Sequence, residues 1–155
     1  MNSIEKKIDL NQIISKMKQK FGEELSDLEK ARYLYIELGK LFRYNLNYLT
    51  AYKRKQEDIY FNYVDFDNIP TNSYICVQMS DIYAEALRRV GVFASTEVDV
   101  KASTDYTMPH KYTVIQLPND KKIIADMVYD IAFIQLGMKT SHFATNNENG
   151  NKDVL

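Results

Sequence analysis

Apolar residues recur at helical spacing over residues 3–20. Ile4, Ile8, Ile13, Ile14 and Met17 stand against Glu5, Lys6, Lys7, Lys16 and Lys18, which predicts an amphipathic helix stopping at Phe21-Gly22. Ser26-Asp27-Leu28-Glu29 then has the form of a capping box, Ser26 to cap the next turn and Glu29 to reach back. Leu28, Ala31, Tyr35, Leu38, Leu41 and Phe42 follow on one stripe, so a second helix is expected to run to about Tyr44. Neither helix carries a group poised for chemistry, and both read as packing elements. Periodicity is lost from Asn45 to Asn72 and returns after it. Asn72 and Ser73 can cap a third helix beginning near Tyr74 to Cys76, with Val77, Ser80, Tyr83, Ala84, Leu87 and Val90 on its buried stripe. Gly91 stands where a left-handed C-terminal cap belongs.

The period then changes from helical to alternating. Thr96, Val98 and Val100 alternate with Glu97, Asp99 and Lys101 as a half-buried strand. His110 to Leu117 reads as a second strand, Pro118-Asn119-Asp120 as a tight turn, and Lys121 to Ala125 as the hairpin partner. Ile131, Ile134 and Leu136 suggest a short closing helix ending near Gly137. Helices followed by strands predict an α+β fold, N-terminal helices packed on a small antiparallel sheet. Residues 1–143 are expected to form a single domain and 144–155 a flexible tail, since NNENGNKDVL has almost nothing to bury.

Composition narrows the classes. A chain of 155 residues, 45% hydrophobic, supports one core but not two comfortable ones. Twenty basic against 21 acidic side chains leave a formal charge of −1, so no global field draws the protein onto nucleic acid or an anionic membrane. The Lys53-Arg54-Lys55 cluster beside tyrosines is offset by Glu57, Asp58, Asp65 and Asp67, so single-strand stacking is not expected, and the segment reads as a long loop, functional or mobile, leading into Cys76. The twelve tyrosines read as core and rim packing. One cysteine, Cys76, excludes an intramolecular disulfide, and with two histidines it is too little for a structural zinc site of those ligands. No metal or organic cofactor is expected. The N-terminus has no apolar signal region and no stretch approaches a bilayer span, so a cytoplasmic protein is expected, or one exported as an effector without a cleavable signal peptide. Abundant Lys, Asn, Ile and Tyr point to an AT-rich bacterial genome. The oligomeric state is left open.

Candidate chemistry begins at Cys76. A free cysteine alone is most often a small core hydrophobe. In the first turn of a helix, however, unpaired N–H groups and the macrodipole favour its thiolate. A thiolate nucleophile needs a proton carrier, and His110 opens a strand after a polar loop. The imidazole in turn needs a group to orient it, and Asp126 ends the partner strand. A turn centred on Pro118 to Asp120 sets residue numbers that sum to about 237 opposite each other, which makes His110 and Asp126 cross-strand neighbours. His142 is a competing base for which the pattern supplies no acid partner, and it reads as a surface residue.

Helix-borne Cys76, with His110 34 positions later and Asp126 16 beyond that, resembles the catalytic core of the transglutaminase-like branch of the papain-like cysteine enzymes. The segment LEKARYLYIELGKLFRYNLNY is similar to the helix which that family places ahead of its nucleophile, and the resemblance covers residues 26–143. It implies that Cys76 attacks an amide carbonyl, that His110 is general base and then acid, and that Asp126 orients His110. It implies a protein or peptide substrate and, first, a cysteine protease. Protein-glutamine deamidase or transglutaminase activity is the alternative within the class, and a catalytically inactive binding domain of the same fold is the alternative outside it. Relatives often carry glycine near the cysteine and tryptophan near the histidine or aspartate. This chain has Tyr74-Ile75-Cys76-Val77-Gln78, Pro109-His110-Lys111-Tyr112 and no tryptophan. The resemblance therefore leaves the oxyanion hole unassigned; the Cys76 N–H is the natural first donor, and the Asn72 side-chain amide is the candidate second.

Overall fold

Asp9, rather than a residue near position 3, starts the first helix. The structure, a computed structural model, describes residues 7–43, 64–71, 76–99 and 110–145. In it the Asp9 carboxylate accepts from the Gln12 N–H at 3.1 Å, and Asp9 itself is extended. Helix α1 (Leu10–Phe21) therefore begins later than the apolar spacing suggests. Just before it, strand β1 (Lys7–Ile8) pairs antiparallel with β2 (Ile69–Pro70). Leu10, Ile14 and Met17 form the buried stripe of α1, and Gly22, at φ 72°, ends it.

Helix α2 (Asp27–Leu41) carries the capping box in full. Glu29 N–H donates to Ser26 Oγ at 3.1 Å, and Ser26 N–H donates to Glu29 Oε1 at 3.0 Å. The helix stops at Leu41, three residues short of the expected Tyr44, because Phe42 turns to extended backbone and is buried. The last carbonyls are then satisfied from elsewhere: Gln135 Nε2 donates to Gly39 O at 3.2 Å and to Phe42 O at 2.8 Å. Gly39 marks a close approach, since a Cβ there would lie 2.3 Å from Ile134 Cδ1.

Helix α3 is described over Cys76–Arg89 and ends before Gly91, at φ 83°. The expected capping residues, Asn72 and Ser73, lie outside the described residues. Met79, Ile82, Tyr83, Ala86 and Leu87 bury one face of α3 in the common core with Leu34, Tyr35 and Leu38 of α2. Strands β3 (Phe93–Asp99), β4 (His110–Leu117), β5 (Lys121–Ala125) and β6 (Phe143–Thr145) form an antiparallel sheet in that order. Ile115 and Ile123 face each other across β4 and β5 and are fully buried in the core. β3 starts three residues before the expected Thr96, and Val98, although on an apolar alternation, is half exposed at this sheet edge. The β4–β5 turn is a 3-10 turn at Pro118–Asp120, with Asn119 and Asp120 in the left-handed region (φ 73° and 60°) that these two residue types tolerate.

The closing helix is α4 (Ile131–Gln135), whose Ile131 and Ile134 are buried, with Gly137 at φ 70° beyond it. Alternation did not announce β6, which is three residues long, too short to show a period. It extends two residues past the boundary expected at 143, with Ala144 buried. Ile124 pairs with Thr145 and Ala125 with Phe143, so β6 carries one extra residue. Ala144 takes up that β-bulge at φ 59°. These elements make the α+β architecture, helices against an antiparallel sheet, that the order of patterns implies.

Candidate functional site

The backbone sets the starts of α3 and β4 at one end of the sheet. One turn into α3, Ser80 Oγ donates to Lys111 O at 3.0 Å, and Thr113 Oγ1 donates back to Ser80 O at 3.0 Å. Lys111 Nζ and Asp81 close the same corner as an ion pair at 2.9 Å. At the opposite end of α3, Arg88 donates to Ala94 O at 3.1 Å, beside Ile115. α3 thus runs alongside β4 in the same direction. Cys76 is the first described residue of α3, and His110 is the first of β4, paired with Asp99. The Cys76 and His110 side chains lie outside the described part. Asn72 falls outside it altogether.

Asp126 follows the last residue of β5 and is buried at 2% exposure. The observed β4–β5 partners sum to 238, as in Thr113↔Ala125. Continued one step, that register sets Asp126 level with Tyr112, two positions along β4 from His110. The expected direct pairing is therefore corrected to a diagonal one, because the three-residue turn Pro118–Asp120 is centred on Asn119 and sets partners that sum to 238 rather than 236. Such neighbours lie about 7–8 Å apart at Cα, still within reach of an imidazole and a carboxylate.

His142 is the larger correction. The sequence supplied no acid for it, yet Asp130 Oδ1 lies 3.3 Å from its Nδ1. Asp130 is fully buried at the start of α4. Its carboxylate accepts from the Tyr35 hydroxyl at 2.5 Å, from the His142 N–H at 2.9 Å and from the Ser141 N–H at 3.2 Å. Tyr129 packs its ring 5.1 Å from that of His142. Burial, and then the neighbouring Asp130 charge, push the Tyr35 phenol well above its ordinary range, so it stays a donor. The signal for this cluster was an Asp and a His 12 residues apart on either side of a glycine turn, a spacing with no periodicity to reveal it. Its geometry is not that of a serine-type relay, because Ser141 Oγ and Asp130 both meet the same ring nitrogen, Nδ1.

Among the described residues no cluster of three or more His, Cys, Asp and Glu could hold a metal ion, and no helix is long and apolar enough to cross a membrane. A shallow cavity of about 230 Å³ opens on the sheet between Phe93, Glu97, Val114, Gln116 and Lys122, and none of the candidate residues lines it.

No family model and no curated protein sequence matches this chain. Among solved structures it is similar to the crystal structure of a TGase, a transglutaminase, at 17% identity and a TM-score of 0.58. The match covers 94% of this chain and 36% of that one, so this chain spans about a third of the length of the protein it matches. The helices and antiparallel sheet described above have a transglutaminase-like fold.

Proposed function

We propose that the protein is a thiol enzyme that forms an acyl-thioester from amide carbonyls, with Cys76 as nucleophile, His110 as proton carrier and Asp126 as its orienting acid. One observation carries the reading: in a transglutaminase-like fold, the described parts of α3 and β4 have Cys76 and His110 as their first residues, at the same end of the sheet. The helix N-terminus favours the thiolate, and a protonated imidazole beside it would favour it further. The Cys76 sulfur would add to the carbonyl carbon, and the Cys76 N–H is the first donor to the oxyanion. Collapse breaks the carbon–nitrogen bond, the leaving amine takes the proton from His110, and a thioester remains. His110 then deprotonates water, whose oxygen displaces the thiolate to give a carboxylate. A primary amine in place of water gives a new amide.

Likeness to a transglutaminase favours the glutamine side chain as acyl donor, with ammonia leaving. Peptide-bond cleavage uses the same groups with a main-chain amine leaving. Mass spectrometry of a treated lysate separates the outcomes. Glutamine residues one dalton heavier indicate deamidation, added amines indicate transfer, and new chain termini indicate proteolysis. The triad itself is tested by iodoacetamide at about pH 6, where Cys76 should be alkylated at least about tenfold faster than a free thiol, and His110→Ala should abolish the excess. Ordinary thiol reactivity in the wild type overturns the enzymatic reading and leaves a binding domain of this fold.

A further inference from the structure

A buried carboxylate must have its lone pairs filled, and Asp130 draws its donors from separate parts of the chain. The Tyr35 hydroxyl comes from α2. The N–H groups of Ser141 and His142, and on the Nδ1-protonated tautomer the His142 ring, come from the segment before β6. That segment returns a bond of its own, because the Asp126 N–H donates to His142 O at 2.8 Å. The Tyr35 hydroxyl also lies 3.4 Å from this carbonyl. Residues 126 and 130 are joined by a single 3-10 turn (Met127–Tyr129), closed by Asp130 N–H to Met127 O at 2.9 Å. Both ends of this turn are therefore clasped to residues 141–142, and the bulge at Ala144 separates the clasp from the rest of β6.

We propose that His142, anchored by Asp130, is a positioning residue that holds Asp126 in place through the Asp126 N–H···O=C His142 bond. The inference rests on Asp126 being the acid of the proposed triad. With the clasp open, Asp126 moves off His110, the imidazolium loses its counter-charge, and the Cys76 thiolate is no longer favoured in mild acid. The part that matters is the grip of the ring on Asp130 through Nδ1, not proton transfer by the ring.

That distinction sets the experiment. In the full chain, His142→Ala removes the ring nitrogen, whereas His142→Asn offers a side-chain amide close to where Nδ1 stands. The pH dependence of Cys76 alkylation by iodoacetamide and the hydrogen exchange of the Asp126 amide are measured for both. His142→Ala should slow alkylation at about pH 6 at least about tenfold and speed Asp126 exchange at least about tenfold, and His142→Asn should restore both to within about threefold. A folded His142→Ala protein whose alkylation curve overlays that of the wild type overturns the inference. So does a His142→Asn protein as impaired as His142→Ala, which would make the ring itself the acting group. Should His142→Ala fail to fold, Tyr35→Phe, which removes one donor from Asp130, should shift both readouts several-fold in the same direction, and no shift overturns the clasp. An ordinary thiol rate in the wild type overturns the triad reading instead, and the Asp126 exchange rates then decide the clasp by themselves.

Discussion

Two phenols, Tyr35 and Tyr83, sit wholly inside the protein with ring centroids 5.5 Å apart, yet they hold different partners. Tyr35 donates to a carboxylate, whereas Tyr83 donates to Ala31 O at 2.6 Å. Burial raises both phenols well above their ordinary range. In the folded chain they keep their protons at a pH where the unfolded chain releases them. The unfolded state then binds fewer protons, so stability is fully present below about pH 10 and falls as pH rises beyond it, by about 1.4 kcal/mol per pH unit for each such tyrosine. Urea titrations between about pH 8 and pH 11 should show the decline, and Tyr83→Phe should lose one tyrosine's share of the slope. Near neutral pH the same substitution should cost only about 1 kcal/mol, for one hydrogen bond. An unchanged slope in Tyr83→Phe would mean that this phenol already ionises inside the fold.

Helix α2 makes its two ends by different means. Its start was legible in four letters, because a capping box is local: Ser26 and Glu29 are three residues apart and satisfy each other. Ser26→Ala should lower stability by about 1 kcal/mol in urea unfolding, with m unchanged. Its end was not legible, because the groups that close it come from Gln135, more than 90 residues away. The same holds at Gly39, which reads in sequence only as a weak helix residue. In the fold its missing Cβ admits Ile134, with Cδ1 at 2.3 Å and Cγ2 at 3.2 Å from where a Cβ would stand. Gly39→Ala gains about 1 kcal/mol of helix propensity but overpacks the α2–α4 contact, for a net loss of about 1–2 kcal/mol. Ile134→Val removes Cδ1. A double-mutant cycle should therefore show Gly39→Ala costing less in the Ile134→Val background, and strict additivity would deny the close approach. The proposed site divides in the same way. Residue type and helix start picked out Cys76, and strand ends picked out His110 and Asp126. The Asp130–His142 clasp depends on contacts across a glycine turn and a bulge, which no local pattern encodes.

Across the whole molecule the proposed chemistry depends on long-range structure. Residues 76 and 110 are the first described residues of α3 and β4, residue 126 follows β5, and the clasp at 142 precedes a fourth element, β6. If that assembly activates the thiol, enhanced alkylation at about pH 6 cannot outlast the tertiary fold, and the unfolded chain must react as a thiol of pKa about 8.5. A helix terminus acting alone makes the opposite forecast, since any residual helix around Cys76 would keep part of the effect. Alkylation rate and far-UV circular dichroism measured across one urea series distinguish the two. The excess reactivity should vanish at a urea midpoint no higher than that of the dichroism, and earlier if the β6 clasp opens before the core. Excess reactivity persisting beyond the dichroism midpoint would place its source in the residues around Cys76 and remove His110 and Asp126 from the mechanism.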